Sequence, residues 1–399
     1  MTRSITVLGA TGSVGLATLD LVGAAPEGTY AVTALTAHSR AAELAALALR
    51  FRPQFTALAD SGQAAVLEAA LAGSGLNWGA GADAVAEAAS MDADWTMAAI
   101  VGAAGLAPTL AAVNRGKIVA LANKEALVCA GGLFMECARR SGAVILPVDS
   151  EHNAIFQALG GVDASRLRRI ILTASGGPFR TASLEAMGRA SVHDAVAHPV
   201  WSMGAKISVD SATMMNKGLE VIEACHLFAV PPSKVDVIVH PESIVHGLVE
   251  HVDGGLLAQM GSPDMRTPIA HALGWPDRID TNVSRLDLPA LGQLTFETPD
   301  PQRFPALRLA REAFEAGGAS PIILNAANEV AVEAFLNGHV GFLDIAAIVA
   351  DSLDQGEGAF KGPVKDFEAV YAADAIARTL AAERVIVRNR HGASMARGA

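Results

Sequence analysis

The sequence predicts an α/β chain of three regions: an N-terminal Rossmann-like doubly wound parallel sheet, a central α+β region, and a small C-terminal helical bundle. Three observations carry that expectation. Short apolar runs alternate with helical patterns up to about residue 147, a glycine-rich turn follows the first run directly, and beyond about residue 305 the periodicity is helical with prolines and glycines at its boundaries. At 399 residues the chain can bury a core in each region.

In the first region, apolar runs at 5–8, 31–35, 55–58, 95–101, 118–121 and 144–146 read as strands. The first runs straight into Gly9-Ala10-Thr11-Gly12-Ser13-Val14-Gly15. Glycines there permit a tight turn and let a pyrophosphate approach the N-terminus of the next helix. A bare turn is the competing reading, but the position between strand and helix favours a dinucleotide. The second strand ends in Ala37-His38-Ser39-Arg40, with no acid to hold a ribose 2′-hydroxyl and three groups suited to a 2′-phosphate, which points to NADPH. Ser39 as a plain helix cap and Arg40 as a solvated cation fit the same residues. Asn123-Lys124-Glu125 follows the strand 118–121, where ligands of open α/β sheets gather, although an Asn cap with an early Glu reads equally well.

Asp149-Ser150-Glu151 opens the central region. On an extended strand end, alternate side chains point the same way, and two carboxylates suit a hard divalent cation such as Mg²⁺ or Mn²⁺. Asp and Ser are also ordinary helix caps. A helix is expected near 152–159 and a strand over 169–173. That strand ends in Ser175-Gly176-Gly177, whose backbone N–H groups can bind phosphate or simply turn the chain. Segment 193–206 carries His198, Trp201, Met203 and Gly204 without a clean period and reads as a mobile lid or a packed surface loop. A helix expected to start near Asp210 would put Asn216, Lys217 and Glu220 on one face. By itself that is a surface ion pair. Beside Asp149 and Glu151 it is a third carboxylate for a metal. Runs at 235–239, 244–251 and 256–260 read as strands, with Asp253-Gly254-Gly255 as a hairpin turn, while His240, His246 and His251 lack metal spacing. The expected divisions are 1–147, 148–282, a linker at 283–304, and a helical region over 305–399.

Composition narrows the partners. A formal net charge of −11 argues against a nucleic-acid surface, while a small anionic substrate stays compatible with it, because a few local groups can meet its charge. No apolar run of about 18 residues exists to span a bilayer, and no signal-peptide pattern opens the chain, so a cytoplasmic protein is expected. Cys129, Cys137 and Cys225 read as reduced core residues.

Eight blocks then carry a specific resemblance: GATGSVG at 9–15, ANKE at 122–125, PVDSEHNAIF at 147–156, SGGPF at 175–179, HPVWSMG at 198–204, KISVDSATMMNKGLE at 206–220, MRTPIAH at 265–271 and LNAANE at 324–329. In this order, along almost the whole chain, they resemble the 1-deoxy-D-xylulose 5-phosphate reductoisomerase family. The resemblance implies a homodimeric enzyme of the non-mevalonate isoprenoid pathway that uses NADPH and a divalent cation to make 2-C-methyl-D-erythritol 4-phosphate. It implies Asp149, Glu151 and Glu220 as metal ligands, with Lys124 catalytic beside them. Ser150, Ser175, His198, Trp201, Ser211, Asn216 and Lys217 would contact substrate. Thr11, Gly12, Ser13, Val14, Asn123, Glu125, Met203 and Gly204 would lie along the cofactor, with Ala37, His38, Ser39 and Arg40 at its 2′-phosphate. The family often carries Gly-Lys-Asn where this chain has Ala37-His38-Ser39, so NADPH preference rests more on Arg40 than usual. The implied chemistry is a metal-assisted retro-aldol and aldol rearrangement followed by hydride reduction. A dehydrogenase of another class would need a nucleophilic Cys or a Lys/His pair, and a non-catalytic NADP sensor would have no use for three acids.

Overall fold

The computed structural model describes residues 2–161, 164–360 and 364–395; the last four positions of the expected C-terminal region lie outside these. Contacts group the chain into two compact units. One is Met1–Ala126, Phe134–Asn153 and Asp264–Ser284, and the other is Leu127–Leu133, Ala154–Pro263 and Arg285–Ala399.

The first unit is built on seven parallel strands: β1 (Arg3–Leu8), β2 (Tyr30–Ala37), β3 (Phe55–Leu58), β4 (Trp78–Ala80), β5 (Trp95–Ala98), β6 (Ile118–Leu121) and β7 (Val144–Pro147). Their order is β4-β3-β2-β1-β5-β6-β7, so the sequence direction reverses between β1 and β5 and the ligand crevice of such a sheet opens at their carboxyl ends. Ile5, Val7 and Leu8 are wholly buried because helices cover both faces, which is why these strands read as unbroken apolar runs. β4, three half-buried residues, is too short to leave a pattern. β5 stops at Ala98 rather than running to 101, because the carbonyls of Ile100 and Gly102 turn to accept from Asn123 Nδ2 (2.5 and 2.9 Å). Helix Arg266–Gly274 belongs to this unit: the Trp95 indole donates to Ala272 O at 3.0 Å and Arg3 donates to Leu273 O.

The second unit holds a four-stranded sheet, β8 (Leu167–Ala174), β9 (Val235–Val239), β10 (Val245–His251) and β11 (Leu256–Met260), ordered β11-β10-β8-β9. Only β8 and β9 run parallel, and the expected hairpin turn joins β10 to β11 with Gly254 at φ +86°. Helix Met215–Leu227 packs through Val221, Ala224 and Cys225 against Leu167, Ile170 and Leu172 of β8. Its other side shares a core with the C-terminal helices Ala306–Ala316, Ser320–Leu336, Phe342–Ala359 and Phe367–Met395. The approach is close: a Cβ on Gly218 would sit 2.8 Å from Ala310 Cβ.

Two sequence expectations change here. The helix expected from Asp210 onward is two helices, Ala205–Ala212 and Met215–Leu227, broken at Met214, whose φ of +59° no helix continues. The expected irregular segment 193–206 is irregular only over 197–204, since helix Val192–Val196 ends it on one side and Ala205 begins the next helix. The linker contains a short helix, Leu288–Leu291, and Glu297 bridges to Val239 of β9. All three cysteines are buried thiols. Among the described residues no helix is long and apolar enough to cross a membrane.

Candidate active site

In the first unit the glycine turn is drawn tight by two neighbours. A Cβ on Gly9 would meet Ala99 O at 2.7 Å, and one on Gly15 would meet Gly9 O at 2.3 Å, so no side chain fits at either position. Helix Ser13–Ala24 starts directly behind, with Gly12 exposed as its cap. Ala37 is buried, whereas His38, Ser39 and Arg40 are exposed at the carboxyl end of β2. Arg40 Nη1 donates to Thr11 O at 3.3 Å, which carries the guanidinium to the glycine turn while it also pairs with Glu43.

Past β6, Asn123 is 1% exposed and committed to its surroundings: besides the two carbonyls of 100 and 102, its Oδ1 accepts the Ala126 N–H at 2.9 Å. Asn123 thus lies just ahead of helix Glu125–Ser141, whose cap is Lys124, and the loop 99–102, most of which the sequence reads as strand, packs between Asn123 and Gly9. Its only sequence trace as a loop is Gly102-Ala103-Ala104-Gly105, an unassigned glycine pair. Lys124 Nζ pairs with Asp149 Oδ2, the two side chains being 8% and 17% exposed. Ser150 Oγ donates to Glu151 Oε2 at 2.6 Å. Strand alternation does not organise this acidic pair, however. β7 ends at Pro147, helix Ser150–Leu159 has begun by Ser150, and Asp149 O accepts the Asn153 N–H at 2.9 Å, so Glu151 lies in a helical first turn. Asn153 and His271, which also bond each other at 3.1 Å, had no assigned role in the sequence reading.

The second unit gathers the other candidates in two groups. Ser175 Oγ lies 2.8 Å from His198 Nε2, and His198 Nδ1 accepts the N–H groups of Val200 (3.2 Å) and Trp201 (2.9 Å). With Nδ1 an acceptor, the proton sits on Nε2 and His198 donates to Ser175. Burial lowers the His198 pKa, which keeps the ring neutral. Gly177, at φ +63°, brings this loop against the end of helix Ala205–Ala212: a Cβ there would lie 2.9 Å from Ser211 O. Trp201 reaches across to His246, ring centroids 6.2 Å apart.

Helix Met215–Leu227 supplies the second group. Asn216 Nδ2 donates to Glu220 Oε1 and Lys217 Nζ to Glu220 Oε2, each at 2.5 Å, and Glu220 is fully buried. Just before it, buried Asp210 takes Lys206 Nζ at 2.7 Å and Asn328 Nδ2 at 2.8 Å, tying the Ser211 helix to the C-terminal bundle. Asp149 and Glu151 in one unit and Glu220 in the other are oxygen donors, the ligand chemistry that Mg²⁺ and Mn²⁺ take.

Comparison with known proteins agrees along the chain. Family models match at 5–131 (1-deoxy-D-xylulose 5-phosphate reductoisomerase), 145–228 (1-deoxy-D-xylulose 5-phosphate reductoisomerase C-terminal domain) and 260–380 (DXP reductoisomerase C-terminal domain). The 1-deoxy-D-xylulose 5-phosphate reductoisomerase of Rhodospirillum centenum is 58% identical over 383 residues, spanning 96% of this chain and 94% of its own. That of Pseudomonas putida is 56% identical over 400 residues, with 98% of each chain covered. The structure of the Zymomonas mobilis reductoisomerase in complex with NADPH superposes with a TM-score of 0.90 at 53% identity, covering 96% of this chain and 99% of that one. A reductoisomerase in complex with NADPH, fosmidomycin and magnesium gives 0.91 at 45% identity, covering 96% and 98%.

Proposed function

The chain belongs to the 1-deoxy-D-xylulose 5-phosphate reductoisomerase family and is an NADPH- and metal-dependent oxidoreductase, and we propose that it converts 1-deoxy-D-xylulose 5-phosphate to 2-C-methyl-D-erythritol 4-phosphate with Asp149, Glu151 and Glu220 as its metal ligands. One observation carries the site assignment. Asp149 and Glu220 are each held by an ammonium, Lys124 and Lys217, in a nearly dry setting. Burying such pairs adds little to stability by itself. A cation that takes up the carboxylate oxygens would instead release both ammoniums toward the substrate.

When bound, the cation supplies Lewis acidity toward adjacent substrate oxygens and NADPH supplies the hydride. The side chains do the rest. Ser175, His198 and Ser211, with Asn216 and Lys217 in the first turn of helix Met215–Leu227, take the substrate phosphate; a helix N-terminus favours an anion there, and Ser175, which accepts the His198 N–H, can turn its own hydroxyl proton toward it. Lys124 faces the reacting carbonyl, beside Ser150. Trp201 and Met203, on the irregular part of segment 193–206, close over the sugar and exclude water while its carbon skeleton rearranges. Thr11, Gly12, Ser13 and Val14 cradle the pyrophosphate, with Asn123, Glu125 and Gly204 along the rest of the cofactor. His38, Ser39 and Arg40 receive the 2′-phosphate. In this scheme residues 1–147 bind NADPH, 148–282 carry metal and substrate, and the linker 283–304 leads to the helical region 305–399. The scheme includes a homodimer, for which β11 is a suitable surface: it is a sheet edge, and its Leu256 and Leu257 are 53% and 51% exposed.

The test is loss of NADPH absorbance with 1-deoxy-D-xylulose 5-phosphate, with and without Mn²⁺ after chelation. Oxidation is expected only when substrate and metal are both present. Absence of oxidation by protein that still binds NADPH and Mn²⁺ would refute the proposed substrate.

A further inference from the structure

We propose that Asn153 is a positioning residue for the Asp149-Ser150-Glu151 turn: its carboxamide clamps the Pro147 carbonyl to the His271 imidazole and so fixes where the two acids stand. The inference rests on the reading of Asp149 and Glu151 as metal ligands.

Between Pro147, the last residue of β7, and Ser150, the first of the next helix, the chain changes from strand to helix within two residues. Asn153 holds that change from both sides. Its Nδ2 donates to Pro147 O at 2.8 Å, two residues before Asp149, while its backbone N–H donates to Asp149 O at 2.9 Å. The same Nδ2 lies 3.1 Å from His271 Nδ1 and 3.5 Å from Pro268 O, both on helix Arg266–Gly274. Asn153 is 1% exposed. A buried carboxamide inside a helix is an unfavourable choice unless its hydrogen bonds are needed, since Ala would form the helix better and bury no polar group. For Nδ1 of His271 to accept, the ring must be neutral with its proton on Nε2. Burial and the nearby Arg278 favour that state. The blocks 147–156 and 265–271, far apart in sequence, thus meet at one amide. Groups that orient metal ligands in this way typically change metal affinity about 10- to 100-fold when removed.

The experiment titrates Mn²⁺ into the full chain, without substrate or NADPH, and reads free Mn²⁺ by electron paramagnetic resonance. Asn153→Ala is expected to weaken Mn²⁺ about ten-fold or more while NADPH affinity stays within about two-fold. Asn153→Asp is the sharper variant. Its added negative charge would tighten Mn²⁺ if Asn153 were merely nearby, but a carboxylate cannot donate to Pro147 O, so weaker binding is expected. Should either variant misfold by circular dichroism, His271→Leu removes only the imidazole acceptor and is expected to weaken Mn²⁺ in the same direction. Mn²⁺ affinity within about two-fold of wild type in the folded variants would overturn the proposal. Asp149→Asn separates the two readings: loss of Mn²⁺ binding there with none in the Asn153 variants rejects the clamp alone, whereas unchanged binding in Asp149→Asn rejects the metal-ligand reading and the clamp with it.

Discussion

The two acidic groups of this protein are held in place by opposite means. Glu220 sits on a helix and its partners, Lys217 and Asn216, lie three and four residues away, so one turn of regular backbone delivers all three. Asp149 sits at a strand end, and its support comes from Lys124, 25 residues back, and from an amide that leans on His271, 118 residues ahead of Asn153. A helix face carries its own geometry. A strand end borrows geometry from the rest of its unit, so its site should respond to changes made at a distance in sequence.

The largest expected effect tests the helix side. Glu220→Gln keeps the shape but removes the charge that faces Lys217, and kcat is expected to fall about 100-fold or more, as for other buried charge-stabilising groups, with NADPH affinity nearly intact. Steady-state kinetics and nucleotide fluorescence titration read both; near-normal turnover would remove Glu220 from the metal site. Next is Gly177→Ala. At φ +63°, with Ser211 O 2.9 Å from the new Cβ, it should cost about 1–3 kcal/mol of stability and displace the Ser175 loop from Ser211. Urea unfolding gives the first quantity. A rise in KM for the phosphorylated substrate, without one for NADPH, gives the second, and parallel changes in both would contradict a local phosphate site.

A third prediction uses one histidine from each unit. Burial depresses the pKa of His198 and takes that of His271 down to about 4. A His whose folded pKa lies below its unfolded value, about 6.5, contributes stability that is complete above that value and is lost as pH falls toward the folded pKa. The urea midpoint should therefore drop between about pH 6.5 and 4. His271→Gln and His198→Gln should each flatten the slope, His271→Gln more. An unchanged slope in both variants would show that neither ring is buried neutral. The smallest effect is expected at exposed His38: His38→Lys should tighten NADPH about two- to five-fold, the scale of a solvated ion pair. Unchanged affinity in a nucleotide titration would show that residue 38 does not reach the 2′-phosphate.

The same contrast explains what could be read from the chain alone. Local periodicity carried the helix group, since Asn216, Lys217 and Glu220 share a face wherever the helix begins. Its true start was hidden because Met214 takes φ +59°, a conformation seldom adopted by a bulky residue and unmarked by Gly or Asn. For the acidic turn, the residues were visible but the reason given for their alignment, strand alternation, was not the one that operates, because β7 stops two residues earlier. β4 escaped notice since three residues leave no alternation to detect.

By itself the sequence determined the fold class, the parallel sheet with its glycine turn, the antiparallel hairpin, and the residue types of the site, because each depends on patterns a few residues long. Tertiary structure alone decided that Lys124 meets Asp149, that Gly177 abuts Ser211, and that Asn153 and His271 share a hydrogen bond. Contacts across many residues depend on how sheets and helices pack, and no local pattern records which distant side chain will be there to complete a buried hydrogen bond.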